Sequence, residues 1–412
     1  MAKNKKKLHF YIVDEDPDTL DYIRELLESE GHKVTAGTDN AAALPEIIAQ
    51  KPDCITTNLM MPGMDGLELC KELRSNKALD DSKIFVITSK AYEYDHKRAL
   101  EFGANGFIRK PIKANTFIPE INRILEDEVD VTFWGVRGTL PVPGETSLKY
   151  GGHTSCVTME FPKGQFFIFD GGTGIKSLSD KLMANAKKRV NAKLFISHPH
   201  WDHINAIPFF VPLYVQGNVF EIYGSSHGDL TMEQMISAQM DGVYFPITIQ
   251  EFASSLSFVD LKEETFEIDD ITIKTMLLSH PGYCLGYRVE YHDRVIYYVT
   301  DNELFHEDDE FYDPSYVRKL TRFVDGADIL ITDSTFTDEE YTSKVGWGHS
   351  AISEVVSLAH DANVKTLCLF HHDPDQTDDD IDAKFETAKQ SLADMNSKTV
   401  CLAPHAKTSI KV

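Results

Sequence analysis

Paired cysteines are missing from this sequence. Its six cysteines, Cys54, Cys70, Cys156, Cys284, Cys368 and Cys401, are scattered with no CxxC pair. That argues against a disulfide framework and against a cysteine-built zinc site, so reduced thiols are expected. Long apolar runs are missing too: none approaches the roughly 18 residues that a membrane span needs. The basic opening MAKNKKK runs straight into HFYIVDED, with acids where a signal peptide needs an apolar stretch. It reads as a solvated tail on a cytoplasmic protein with no membrane partner. Positive charge is in short supply, with 41 Lys and Arg against 65 Asp and Glu and a formal net charge of −24. Residues 1–127 hold 18 basic and 22 acidic side chains, or −4; the remainder holds 23 and 43, or −20. Acidity of that kind repels long polyanions and excludes DNA as an expected partner. Bound divalent metal would neutralise part of it.

What is present is a soluble globular composition, 42% hydrophobic and 26% charged, over 412 residues. That length suits two domains better than one core. Residues 8–125 alternate short apolar runs with amphipathic segments. HFYIV (9–13), KVTAG (33–37), CITTNL (54–59), IFVIT (84–88) and GFIRK (106–110) read as strands. DTLDYIRELLESEG reads as a helix closed by Gly31. Five strands with interleaved helices imply a doubly wound parallel sheet that places its ligands at the carboxyl strand ends. The acidic ILEDEVD (124–130) ends this unit, and the boundary is set at 127/128. Beyond it lies one mixed α/β domain, 128–412. Its strand-like runs (VTFWGV, QFFIFD, KLFISH, RVIYYVTD, ADILITDS, VKTLCLFHH) are joined by helical patterns such as 175–187. Residues 225–257 read as a helical insert with aromatics, a candidate lid.

The strongest chemical signal is His198-Pro-His200-Trp-Asp202-His203, where the strand KLFIS ends. A lone histidine is more often structural than a ligand, but four candidate ligands within six residues after a buried strand are hard to assign to packing. Imidazole and carboxylate suit zinc, and also manganese or iron. Alternate spacing lets His198 and His200 face one ion while Asp202 and His203 turn to a second. Trp201 is expected to pack in the core, and His372 to be a neighbour of a ligand rather than one. The acid run at 373–382 reads as a solvated loop and helix cap.

This motif resembles the HxHxDH signature of the metallo-β-lactamase superfamily, and the likeness runs over about 130–412. FDGGTG (169–174) places Asp170 behind the ligands; LSHPGYCLGYRVE (278–290) nominates His280; VTDNE (299–303) nominates Asp301. GWGHS (346–350) and CLFHHDP (368–374) resemble the phosphodiesterase and RNase Z-like branch and nominate His349 and His371. The resemblance implies an αββα sandwich holding two divalent ions. One would take His198, His200 and His280; the other Asp202, His203 and His371; Asp301 would bridge. Asp202 and His349 are assigned to the chemistry itself, with His349 protonating the leaving oxygen or holding a non-bridging one, and Asp333 is expected to support the ligands.

The first half resembles a response-regulator receiver. VDEDP (13–17) supplies Asp14 and Glu15, VITSK (86–90) supplies Thr88, and FIRKPI (107–112) supplies Phe107 and Lys110 before a cis Pro111. The phosphoacceptor aspartate is replaced by Asn58, which lacks the anionic nucleophile for acyl-phosphate formation and weakens any Mg²⁺ site. A phosphorylation-independent module for docking a signalling protein or forming a homodimer is expected. The expected activity is a phosphodiesterase for a small cyclic nucleotide or cyclic phosphate. An RNase Z-like ribonuclease and a non-catalytic metal-binding adaptor are the alternatives.

Overall fold

The computed structural model describes residues 7–89, 93–184, 189–243 and 245–412. Most of the basic tail (1–6), Lys90 and the end of the 175–187 helical pattern lie outside the described residues. The chain separates into two compact units. One runs to Val129 and takes in Phe161–Gln165; the other holds Asp130–Glu160 and Phe166–Val412.

In the first unit, β-branched and aromatic runs form five parallel strands: β1 His9–Val13, β2 Lys33–Gly37, β3 Cys54–Thr57, β4 Lys83–Thr88 and β5 Gly106–Arg109. Their order is β2-β1-β3-β4-β5, the doubly wound arrangement of a receiver. The crossovers are α1 Pro17–Ser29, α2 Asn40–Gln50, α3 Gly66–Arg74 and α4 Glu93–Glu101, and α5 Ala114–Glu126 closes the unit. Asp16 and Asp65 cap α1 and α3 by accepting from backbone N–H groups in the first turn. Two cores, one on each face, bury Tyr11, Ile55 and Val86 on one side and Phe10, Ile12 and Phe85 on the other. The Lys110–Pro111 peptide is cis.

The second unit is a sandwich of two mixed sheets. The first is built from β6 Asp130–Gly135, β7 Cys156–Glu160, β8 Phe166–Phe169, β9 Asn191–Phe195, β10 Val219–Ser225 and β11 Ser255–Leu261. Its helices are α6 Gly174–Met183, α7 Trp201–Ile204 and α8 Met232–Ala238. The second has β12 Thr265–Ile268, β13 Ile271–Leu277, β14 Leu285–Tyr291, β15 Arg294–Val299, β16 Ile329–Asp333, β17 Thr366–Phe370 and β18 Val400–Leu402. Its helices are α9 Pro314–Val324, α10 Asp338–Tyr341, α11 Ile352–Asp361 and α12 Asp378–Asp394. β19 Ser409–Lys411 returns to pair antiparallel with β6 and completes the first sheet.

Aromatic side chains make the layer between the sheets. Phe169 packs on Tyr298 at 5.3 Å between ring centroids, Phe195 on Tyr287 at 5.4 Å, and Phe133 on Phe370 at 6.2 Å. Two phenols also bond across: Tyr287 donates to the carbonyl of Ile196 and Tyr298 to Asp170. Separate apolar cores join each sheet to its helices, one through Ile175, Leu178 and Ile236, the other through Leu320, Val355 and Leu392. Within the segment expected as a lid, one helix is packed on the first sheet. α8 buries Met232, Met235 and Ile236 in the first of these cores, and a β-carbon on Gly224 of β10 would lie 2.3 Å from the Met232 methyl. No helix of the described residues is long and apolar enough to cross a membrane.

Candidate metal centre

Strand direction collects the candidate ligands. Asp170 follows β8, His198 follows β9, His280 follows β13, Asp301 follows β15, Asp333 ends β16 and His371 follows β17. All six stand at carboxyl strand ends, where loops leave an α/β scaffold and side chains can converge without breaking a ladder. His200, Asp202 and His203 are brought in by α7, one turn long, which starts within the motif.

Beside a smaller group of Asp333, His349 and His371, two clusters of four result, each with its ligand atoms within 4.8 Å of one another: His198, His200, His280 and Asp301, and Asp202, His203, His371 and Asp301. Asp301 belongs to both. Its Oδ1 lies 3.1 Å from His203 Nε2 and 3.2 Å from His371 Nε2, while its Oδ2 faces His198 at 3.6 Å and His280 at 3.7 Å. One carboxylate therefore presents an oxygen to each group. His198 Nε2 and His203 Nε2 are buried with no hydrogen-bond partner. Buried polar atoms rarely stay unpaired, and here each points its ring nitrogen into a cluster of other ligands. The donor set, imidazoles and carboxylates with no thiolate, fits divalent zinc, manganese or iron.

Groups behind the ligands set their orientation. Asp170, fully buried, accepts from the Ser197 backbone and hydroxyl, from His203 Nδ1 at 2.7 Å and from the Tyr298 phenol at 2.7 Å. His203 thereby presents Nε2 to the centre, the usual role of a carboxylate behind a metal-binding histidine. Asp170 and His371 both adopt left-handed backbone, at φ 59° and 60°. That conformation is costly for residues with a β-carbon and marks a position fixed by its surroundings. Space is matched as closely: a β-carbon on Gly138 would lie 2.2 Å from the His371 ring. Thr139, the next residue, donates its N–H to Asp202.

The charges are coupled. Burial pulls His198 well below the ordinary imidazole range, with the neighbouring His203 adding to the effect. Burial also works against a proton on His203, but Asp202, Asp301 and Asp170 outweigh it and hold that imidazole well above its ordinary value. Burial opposes ionisation of Asp301, yet His371, His203 and His198 keep its carboxyl well below the usual range.

His349 stands between the clusters. Its ring stacks on His371 at 4.9 Å and tilts against His280 at 5.2 Å, and its Nδ1–H donates to Asp333 at 2.7 Å. Burial disfavours its charge, but Asp333 wins, pushing the imidazole up to about 9. Asp333 also receives Thr335, whose hydroxyl lies 3.1 Å from His371 Nδ1.

Several residues of this neighbourhood are not evident from the sequence. Trp201 is 78% exposed beside His200, not in the core; α7 turns it outward while Asp202 and His203 turn in. Trp347, two residues before His349, is 62% exposed. The acid run is less solvated than expected: Asp373 pairs with Lys344, Asp382 with Lys149, and Asp378 with the buried Arg137, while Thr377 and Asp380 form the capping box of α12. His372 is fully buried, faces away from the centre and packs edge-on to Tyr150.

In the receiver unit, Asp14 pairs with Lys110 at 2.6 Å, and the Asn58 amide donates to both oxygens of Glu15, at 2.9 and 2.7 Å. Thr88 is buried at the end of β4. Burial raises the Asp14 carboxyl against the pull of Lys110. Both acids thus face nitrogen donors. Neither belongs to a ligand cluster among the described residues.

Residues 10–122 match the family described as response regulator receiver domain, and residues 168–372 the β-lactamase superfamily domain. The alkaline phosphatase synthesis transcriptional regulatory protein PhoP of Bacillus subtilis is 33% identical over 122 residues, 30% of this chain and 49% of that protein. The chain spans about half the length of the curated relatives it matches. Among solved structures, the metallo-β-lactamase-fold protein YhfI of Bacillus subtilis is 18% identical, with a TM-score of 0.49 over 69% of this chain and 100% of that one. A diphosphatase from the PhnP family is 14% identical, with a TM-score of 0.48 over 69% of this chain and 98% of that one.

Proposed function

Because this chain joins a response regulator receiver domain to a β-lactamase superfamily domain, we propose that it is a binuclear metal-dependent hydrolase. Its substrate on this reading is a small cyclic nucleotide or related cyclic phosphate. The observation that carries the reading is the sharing of Asp301 between two ligand clusters of complementary make-up. Two divalent ions held there, zinc, manganese or iron by the donor chemistry, would supply Lewis acidity and acidify a water toward neutral pH. The chain's own residues do the rest. Asp170 and Thr335 fix the rings of His203 and His371. His349, held protonated by Asp333, faces the space between the clusters and delivers a proton from Nε2 to the departing oxygen. Trp201 and Trp347, exposed and close in sequence to His200 and His349, would offer flat faces to a nucleobase. The negative charge of the domain disfavours a long RNA.

One observation favours the ribonuclease alternative. Lys274, Arg318, Lys319 and Arg322 line a groove of about 620 Å³, a local basic surface that a phosphate backbone could follow. Glu263 and Glu264 line the same groove, and Glu263 already neutralises Lys319. The receiver unit, on the same proposal, acts without phosphorylation, as a surface for a signalling partner or a second copy of the chain. Assays of the purified, metal-loaded protein on cyclic nucleotides and on structured RNA decide the substrate. Turnover of the cyclic nucleotide, abolished by Asp301→Ala, is expected; cleavage of RNA alone would replace this reading with the alternative.

A further inference from the structure

The strand end that carries Asp301 continues into two more buried polar residues, Asn302 and Glu303. Neither is a ligand. Glu303 accepts from the Gly346 N–H at 2.7 Å and the Tyr341 phenol at 2.9 Å through Oε1, and from the Gly348 N–H at 2.6 Å through Oε2. Every donor it receives belongs to one short stretch, 341–348, and two are backbone groups of the Gly-Trp-Gly loop. The carbonyl of Gly348 in turn receives the Nδ1–H of His280 at 2.9 Å. Asn302 works on the other side of the same histidine: its Oδ1 accepts from the N–H of Ser279, which also donates to the Tyr316 phenol oxygen. The backbone N–H of Glu303 donates to the carbonyl of Ser279.

We propose that Glu303 is a positioning residue for the metal centre, clamping the Gly346–Gly348 loop so that the Gly348 carbonyl fixes the ring of His280. The clamp rests on the two-metal reading for its consequence, not for its geometry. Nδ1 of His280 is committed to the carbonyl, so Nε2 faces Asp301 and His200, 3.2 Å from His200 Nδ1. The fit leaves little slack. Gly348 has φ 87°, and a β-carbon there would lie 2.3 Å from His280 Nδ1. His349 is the next residue, so the loop that orients a ligand also sets the start of the proton donor. A carboxylate suits the task because it has acceptors only: three donors converge on it, and an amide would turn a donor toward one of them. The cluster of Asp202, His203 and His371 meets this loop only through the stacking of His349 on His371 and has hydrogen-bonded supports of its own, Asp170 and Thr335.

Asymmetry between the two ion sites is therefore the signature. Glu303→Gln should weaken one of the two binding steps in a titration with zinc against a chelating indicator by about 10- to 100-fold, the usual cost of losing a group behind a ligand. The other step should stay as in the parent. Hydrogen–deuterium exchange on metal-free protein reads the clamp without any ion: the peptide covering 344–350 should lose protection in the variant while β8 and β9 keep theirs. Tyr341→Phe removes one of the three donors and should give a smaller change in the same direction, should Glu303→Gln fail to fold. Two binding steps unchanged, or both falling together with the melting temperature, would overturn the proposal. A parent protein that takes up no ion would instead defeat the two-metal reading, and the exchange experiment would still decide the clamp.

Discussion

Asp333 and His349 show how one contact sets the protonation of an imidazole. A carboxylate 2.7 Å from the ring nitrogen outweighs the burial that would strip the proton and pushes the imidazole up to about 9. A proton donor must be charged to act, so activity should be retained below that value and lost as pH rises through it. His349→Asn should remove this alkaline limb from the pH–rate profile and lower kcat by about 10²- to 10⁴-fold, the usual worth of general acid catalysis. The loss should be smaller for a substrate with an activated leaving group. An unchanged alkaline limb would take the role from His349. Asn58 makes the opposite case, a reactive position replaced. Its amide occupies Glu15, so acetyl phosphate should leave the protein unlabelled, whereas Asn58→Asp should restore labelling. Stable label on the parent protein, read by intact mass, would contradict this. At this scale the candidate ligands were legible because they cluster in the sequence, four of them in the six residues from His198 to His203. Glu303 was not. It lies in the quoted VTDNE segment, but its partners arrive from a loop some forty residues on.

Strand ends locate most of the candidate ligands, and α7 brings in His200, Asp202 and His203. β8, β9, β15, β16 and β17 run so that each ends at the centre, and the interlocked rings of Phe169, Phe195, Tyr287 and Tyr298 hold the two sheets together behind it. Phe169 is fully buried and immediately precedes Asp170. Phe169→Ala should cost about 3–5 kcal/mol in stability, from lost apolar contact and the cavity left behind. It should also weaken ion binding, because Asp170 loses the wall that fixes it. A denaturant titration showing less than about 1 kcal/mol would mean that this layer does not hold the sandwich. The receiver strands could be placed to within a residue or two, since each is an apolar run bounded by turn residues. α8 was harder: its amphipathic pattern announces a face to be covered but not what covers it, and β10 and β11 turned out to do so. Trp201 failed for a related reason, because aromatic character favours burial while a one-turn helix leaves only one side for packing.

At the scale of the whole molecule, a receiver-type unit of small net charge precedes a strongly acidic unit of the β-lactamase superfamily type. The acidity is not spread evenly over solvent: Asp170, Asp202, Asp301 and Asp333 are all buried around the centre. Confined negative charge of this kind is stabilised by cations, and any ligand that binds only the folded state raises its stability. Chelation should therefore lower the melting temperature, and zinc should restore it. Free ion at about 1,000 times Kd is worth about 4 kcal/mol per site. In Asp301→Ala the response should shrink for both sites at once. The most direct measurement is an anomalous difference map at the zinc edge from crystals of the loaded protein. Two peaks on either side of Asp301 are expected, one among His198, His200 and His280, the other among Asp202, His203 and His371. A single peak, or none within reach of these side chains, would contradict the binuclear centre.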